Sequence, residues 1–219
     1  MKSLLTVAES ELDQAQRLLL EIGDHSEAFE HSLMSGDVSA DLVAQVRRVV
    51  LLLRSALDQT ARAIVAAAGG TSSDLVFPIA PLGATPDDFA VQLRSWVPNG
   101  VRLDASAVAA LNSAQPFGGS EWLLGLDLAG TVDGIDLSVK RVRTTLTETA
   151  REDGTTESRI APSSESGVGR VLLLQPVAGG SENEFEAVHV VLNPSGIEVL
   201  SFLEEAAGGV RGVLSRLSA

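Results

Sequence analysis

Apolar residues recur at alternating spacings of three and four along Leu12, Ala15, Leu19, Ile22, Ser26, Phe29 and Leu33. This is the period of one helix face. Thr6 followed by Glu9 fits a capping box at the start of that helix, and Ser35-Gly36 reads as its end. A second stripe, Val43, Val46, Val50, Leu53, Leu57, Thr60, Ile64 and Ala67, has Ser39 placed to cap it and Gly69-Gly70 to end it. Two long helices joined by the short "SGDVS" turn predict an antiparallel hairpin.

The pattern then breaks. In "LVFPIAP" (75 to 81) the prolines forbid helix and push their predecessors toward extended geometry. Thr85-Pro86-Asp87 reads as cap, first-position proline and acidic first turn of a third helix running to about Trp96. Shorter helices are predicted from Asp104 and from Ser120 through "EWLLGLDLAG".

From Asp136 the period changes to two in "DLSVKRVRTTLTET". "EDGT" offers a hairpin turn, "TTESRIA" a returning strand, and "GRVLLLQPVA" and "FEAVHVVLN" two more. About four antiparallel strands are predicted over 136–193, with "PSSESGVG" (162 to 169) as a disordered stretch. Pro194-Ser195 opens a final helix, weakened or kinked at Gly208-Gly209, because glycine costs about 1 kcal/mol in a helix interior. The fold class is α+β: a long antiparallel helical hairpin with short additional helices, then a small antiparallel sheet and a C-terminal helix. The division is 1–135, mainly helical, and 136–219, sheet plus helix, packed together as one unit.

Composition narrows the chemistry. The 219 residues are 45% apolar with a net charge of −13, which makes a globular protein that repels nucleic acid and anionic membranes at long range. With no cysteine, thiolate catalysis and cysteine-bound zinc are impossible, and His25, His31 and His189 form no metal-binding spacing. Asp133 and Asp136, three apart, would share a helix face but lack further ligands for a cation. No cofactor fingerprint, nucleophile elbow or phosphate-binding loop occurs, and no cofactor or metal is expected. The short apolar run of the N-terminus and the lack of any stretch of roughly 20 apolar residues predict a cytoplasmic protein.

One polar pair stands out. Arg54 and Asp58 in "LLLRSALDQ" lie four apart, 40° from one another and beside the second stripe, on a strip shared with Arg47 and Arg62. An exposed pair of this kind adds only about 0.3–0.5 kcal/mol to a helix. It either ties the helix to loop carbonyls or a neighbouring helix, or marks a binding site.

In order, "LLLRSALDQ", "FPI", "NSAQPFGG" and "WLLGLDLAGTVDGIDL" resemble an uncharacterised bacterial family reading L-R-S-A-L-D-H, F-P-I, L-Q-P-Y and I-D-K-H-R, over about residues 40 to 145. The family's arginine and histidine are spaced similarly to those of HEPN domains, helical proteins in which the pair supports metal-independent RNA cleavage or a nucleotide-related role. The resemblance implies a helical dimer whose two subunits build one site. Here Gln59 takes the place of the histidine, and an amide cannot shuttle protons. Phe117 replaces the tyrosine, and Gly134, Ile135 and Asp136 replace the basic residues that follow the family's aspartate, matched here to Asp133.

Two functions follow as expectations. The first is a non-enzymatic helical module, a degenerate relative of that family, that binds another protein or forms a homodimer. Arg54, Asp58, Gln59, Gln115, Phe117 and Trp122 would be its residual binding site, with no catalytic residue. The alternative is a metal-independent ribonuclease or nucleotide-handling enzyme, which needs Arg47, Arg54, Arg62, Lys140, Arg141 and Arg143 on one surface.

Overall fold

The computed structural model describes residues 2–71, 73–129, 135–150, 156–161, 173–177, 184–193 and 196–218. Its helices are α1 (Lys2–His25), α2 (Glu27–Ser35), α3 (Ala40–Ala67), α4 (Pro86–Trp96), α5 (Ala105–Ser113), α6 (Glu121–Ala129) and α7 (Val199–Ser218), with a 3-10 turn at Pro116–Gly118. Its strands are β1 (Leu137–Ala150), β2 (Thr156–Ala161), β3 (Leu173–Pro176), β4 (Glu184–Leu192) and β5 (Ile197–Glu198). The class is α+β, with long N-terminal helices, an antiparallel sheet and a C-terminal helix.

The first predicted helix is two helices. Its stripe is buried throughout, from Leu12 to Leu33, but the backbone leaves the helix at Ser26. There φ is −79° and ψ 107°, and the Ser26 hydroxyl accepts the Phe29 amide at 3.3 Å, capping α2. Thr6 and Glu9 lie inside α1, which starts at Lys2, so they do not form its first turn. Ser39 caps α3 as expected, its hydroxyl accepting the Leu42 amide at 3.1 Å.

α1 and α3 run antiparallel: Glu11 accepts the Ser55 hydroxyl at 2.8 Å, while Leu5 shares a cleft with residues of the last turns of α3. The core face of α3 is wider than the predicted stripe. Leu42, Val49, Ala56, Ala61, Ala63 and Val65 are buried as well, whereas Ala67, at the helix end, is exposed.

The chain divides into two compact units, and the boundaries differ from a cut after residue 135. One comprises Met1–His25, Ala44–Ile135 and Phe202–Ala219; the other comprises Ser26–Val43 and Asp136–Ser201. Most of the C-terminal helix therefore belongs with the helices of the first unit, and α2 with the sheet.

In the second unit the strand order is β2-β1-β4-β3, all antiparallel, with β5 also paired to β4. The long β1 uses its first part against β4, from Leu137 opposite Leu192 to Thr145 opposite Glu184. Its last part pairs with β2, from Thr145 opposite Ala161 to Ala150 opposite Thr156. β4 is buried continuously from Ala187 to Leu192, and α2 packs on it. Arg141 pairs with Glu186 at 3.6 Å and lies against Gly36, the left-handed residue that ends α2. A guanidinium there faces the negative end of that helix. The "EDGT" turn and "PSSESGVG" lie outside the described residues.

β5 is an addition to the four predicted strands, and it displaces the start of the last helix. The Glu198 carboxylate accepts the amides of Leu200 at 3.0 Å and Ser201 at 2.7 Å, so α7 is capped by glutamate and begins at Val199, not at Pro194-Ser195. α7 then continues without a break through Gly208-Gly209.

The expected weak point at those glycines is a packing feature. A Cβ on Gly209 would sit 2.2 Å from Cε2 of Trp122 on α6, and one on Gly125 of α6 would sit 2.5 Å from Cε2 of Phe202 on α7. Each helix thus offers a glycine to the other's aromatic ring, and burial of the two rings outweighs the loss of helix propensity.

Candidate functional site

The polar strip of α3 faces the extended segment 75–81, which the sequence predicts to be non-helical. This segment has no strand partner among the described residues, yet its backbone is held by side chains. Arg62 Nε donates to the Leu75 carbonyl at 3.2 Å, and Trp96 Nε1 to that of Val76 at 2.7 Å. Asp58 Oδ1 accepts the Phe77 amide at 2.7 Å. Gln115 Nε2 donates to the Pro78 carbonyl at 3.1 Å, Gln92 Nε2 to that of Ile79 at 3.0 Å, and Gln115 Oε1 accepts the Ala80 amide at 2.8 Å. Five side chains do the work of a sheet ladder, because prolines at 78 and 81 remove two amides that a ladder would need.

Within this arrangement Arg54 and Asp58 act as ties. Arg54 Nη1 donates to Asp127 Oδ1 of α6 at 2.8 Å, and its Nε is 3.8 Å from Asp58 Oδ1. Burial raises the pKa of the Asp58 carboxyl; the Phe77 amide and the charges of Arg54 and Arg62 oppose that rise, while Asp127 adds to it. Its charge is therefore carried at a cost and matched by two guanidinium groups. Gln59 is half-buried on the same helix.

Of the other predicted residues, Gln115 and Trp122 are buried and Phe117 is half-buried. Gln115 is fully buried, and its amide also donates to the Leu111 carbonyl at 2.9 Å, so both donors and the acceptor are occupied. Phe117 meets Phe89 edge to face, with centroids 5.9 Å apart. Trp122 is buried against Gly209. The structure brings Asp58 and Gln115 to one extended segment and directs Phe117 and Trp122 into packing. Of the replaced motif after "WLLGLDLAG", residues 132–134 lie outside those described; Ile135 is buried and Asp136 accepts the Asn193 side chain at 3.2 Å.

The six cations needed for a basic groove fall in separate units. In the first, Arg54 is paired with Asp127 and Arg62 with a carbonyl. In the second, Arg141 is paired with Glu186, while Lys140 stands opposite His189 and Arg143 opposite Glu186 in the ladder.

A cleft of about 420 Å³ lies elsewhere in the first unit, walled by Leu5, Ile64 and Leu217 with Arg102 and Asp104 among its lining. None of the residues expected at a site lines it. Of its lining, the sequence singled out Ile64 and Ala67 as stripe positions and Asp104 as a helix cap. The structure bears out the cap: Asp104 Oδ1 accepts the Ala107 amide at 2.7 Å and the Ser106 hydroxyl at 3.0 Å. Those bonds hold its pKa below the ordinary value.

Among the described residues no cluster of three or more histidines or carboxylates could hold a metal ion, and no helix is long and apolar enough to cross a membrane. Compared with known proteins, the chain matches no family model, no curated protein and no solved structure.

Proposed function

We propose that the chain is a non-enzymatic helical module that acts by binding, either to another protein or to a second copy of itself, and that it descends from a HEPN-like ancestor whose catalytic groups have been lost. The observation that carries this reading is the use of the polar pair: Arg54 is spent on Asp127 and Asp58 on the Phe77 amide. A group so engaged is not available to move a proton or clamp a phosphate without first breaking the fold's own bonds.

Self-association draws support from large apolar side chains left outside the core. Leu20 is 63% exposed, Leu51 52% and Leu128 69%. Exposed leucines gain from being covered by a second apolar surface. Light scattering at micromolar concentration is expected to give about twice the chain mass. A monomer at every concentration would remove the dimer and leave only a partner protein as the ligand.

A further inference from the structure

The cleft beside Arg102 has a composition unlike that of a packing defect. Leu5, Ile64 and Leu217 form its walls, and the space between them is open because Ala63, Ala67 and Ala107 fill so little of it. Its volume, about 420 Å³, lies in the range of small-ligand sites. Water against such walls lacks hydrogen-bond partners, so an apolar occupant gains from displacing it. Arg102 is exposed and has no hydrogen bond or ion pair among the described residues. In a chain of net charge −13 it is a local positive point beside an apolar space.

We propose that this cleft binds a small alkyl carboxylate, its tail between Leu5, Ile64 and Leu217 and its head on the Arg102 guanidinium. The planar fork of arginine matches a carboxylate with two parallel hydrogen bonds. The neighbouring Asp104 forms no ion pair with Arg102, because its Oδ1 is turned onto the Ser106 hydroxyl and the Ala107 amide. This assignment goes beyond the binding-module reading and does not depend on it.

Titration calorimetry of the full chain with decanoate and decanol, below their aggregation concentrations, tests the assignment. Decanoate is expected to bind more tightly than decanol. Arg102→Gln is expected to weaken decanoate by about tenfold or more and to leave decanol unchanged. Ala67→Phe, at an exposed position of the lining, is expected to abolish binding by filling the cleft; Ala68→Leu serves the same end should Ala67→Phe lose its helical circular dichroism. Absence of decanoate binding to the wild type, equal affinity in Arg102→Gln, or displacement of decanoate by an acetylated peptide ending in leucine would each overturn the proposal.

Discussion

The Asp58 carboxylate accepts the amide of Phe77, nineteen residues further along the chain, at 2.7 Å, and so fixes the extended segment 75–81 to the middle of α3. The bond explains why an ionised side chain is kept half-buried beside a core stripe. Asp58→Ala leaves the Phe77 amide without its acceptor, at an expected loss of about 1–3 kcal/mol. Asp58→Asn, whose amide oxygen can still accept, should cost less. Urea denaturation of the two variants compares them.

The same residue predicts a pH dependence. Burial raises the Asp58 pKa above 3.8 in the folded chain, so just above that pH the folded state holds a proton that the unfolded chain has released. The wild type therefore loses Asp58-linked stability as pH rises from 3.8 to the raised value. Asp58→Asn cannot titrate, and its stability relative to wild type should improve with rising pH over that interval. A difference between the two that stays constant or moves the other way would remove the burial argument.

The paired glycines of α6 and α7 give a prediction in which the sign changes between neighbours. Gly208 has open space where a Cβ would go, so Gly208→Ala should stabilise by about 0.5–1 kcal/mol through helix propensity. At Gly209 the same change drives a methyl into the Trp122 indole, and a net loss is expected despite the better propensity. Melting temperatures of the two single variants decide it.

Leu53 and Gln59 check the helical phase of α3. Leu53 has no exposed surface, and its replacement by alanine should cost about 2–5 kcal/mol, against about 0.5 for Gln59→Ala at its half-buried position. Equal denaturation midpoints would contradict the placement of both.

What the sequence revealed follows from the range of each interaction. The Thr85 cap with Pro86 at the first helical position, the Ser39 cap and most of the α3 stripe are set by residues within one or two turns, and these were legible. The break at Ser26 was not, because the apolar period passes through it unchanged and the serine occupies a stripe position. β5 spans two residues, too few to show a period. Trp122 and Gly209 stand 87 positions apart, so nothing local distinguishes a glycine that admits a ring from one that weakens a helix. For Arg54 and Asp58 the sequence offered a tie to a loop or a neighbouring helix beside a binding site; the structure contains both ties. The cleft by Arg102 is assembled from four segments of the chain and has no motif.

In the proposed function the polar pair of α3 supports the fold and performs no reaction. Incubation of single-stranded RNA with the wild type, Gln59→His and Arg54→Ala, followed by gel electrophoresis, tests it most directly. Intact RNA is expected in all three cases, since restoring a histidine at 59 supplies a proton carrier but not the positive charge that Gly134, Ile135 and Asp136 fail to provide. Cleavage by the wild type that disappears in a folded Arg54→Ala would contradict the account and make Arg54 part of an active site.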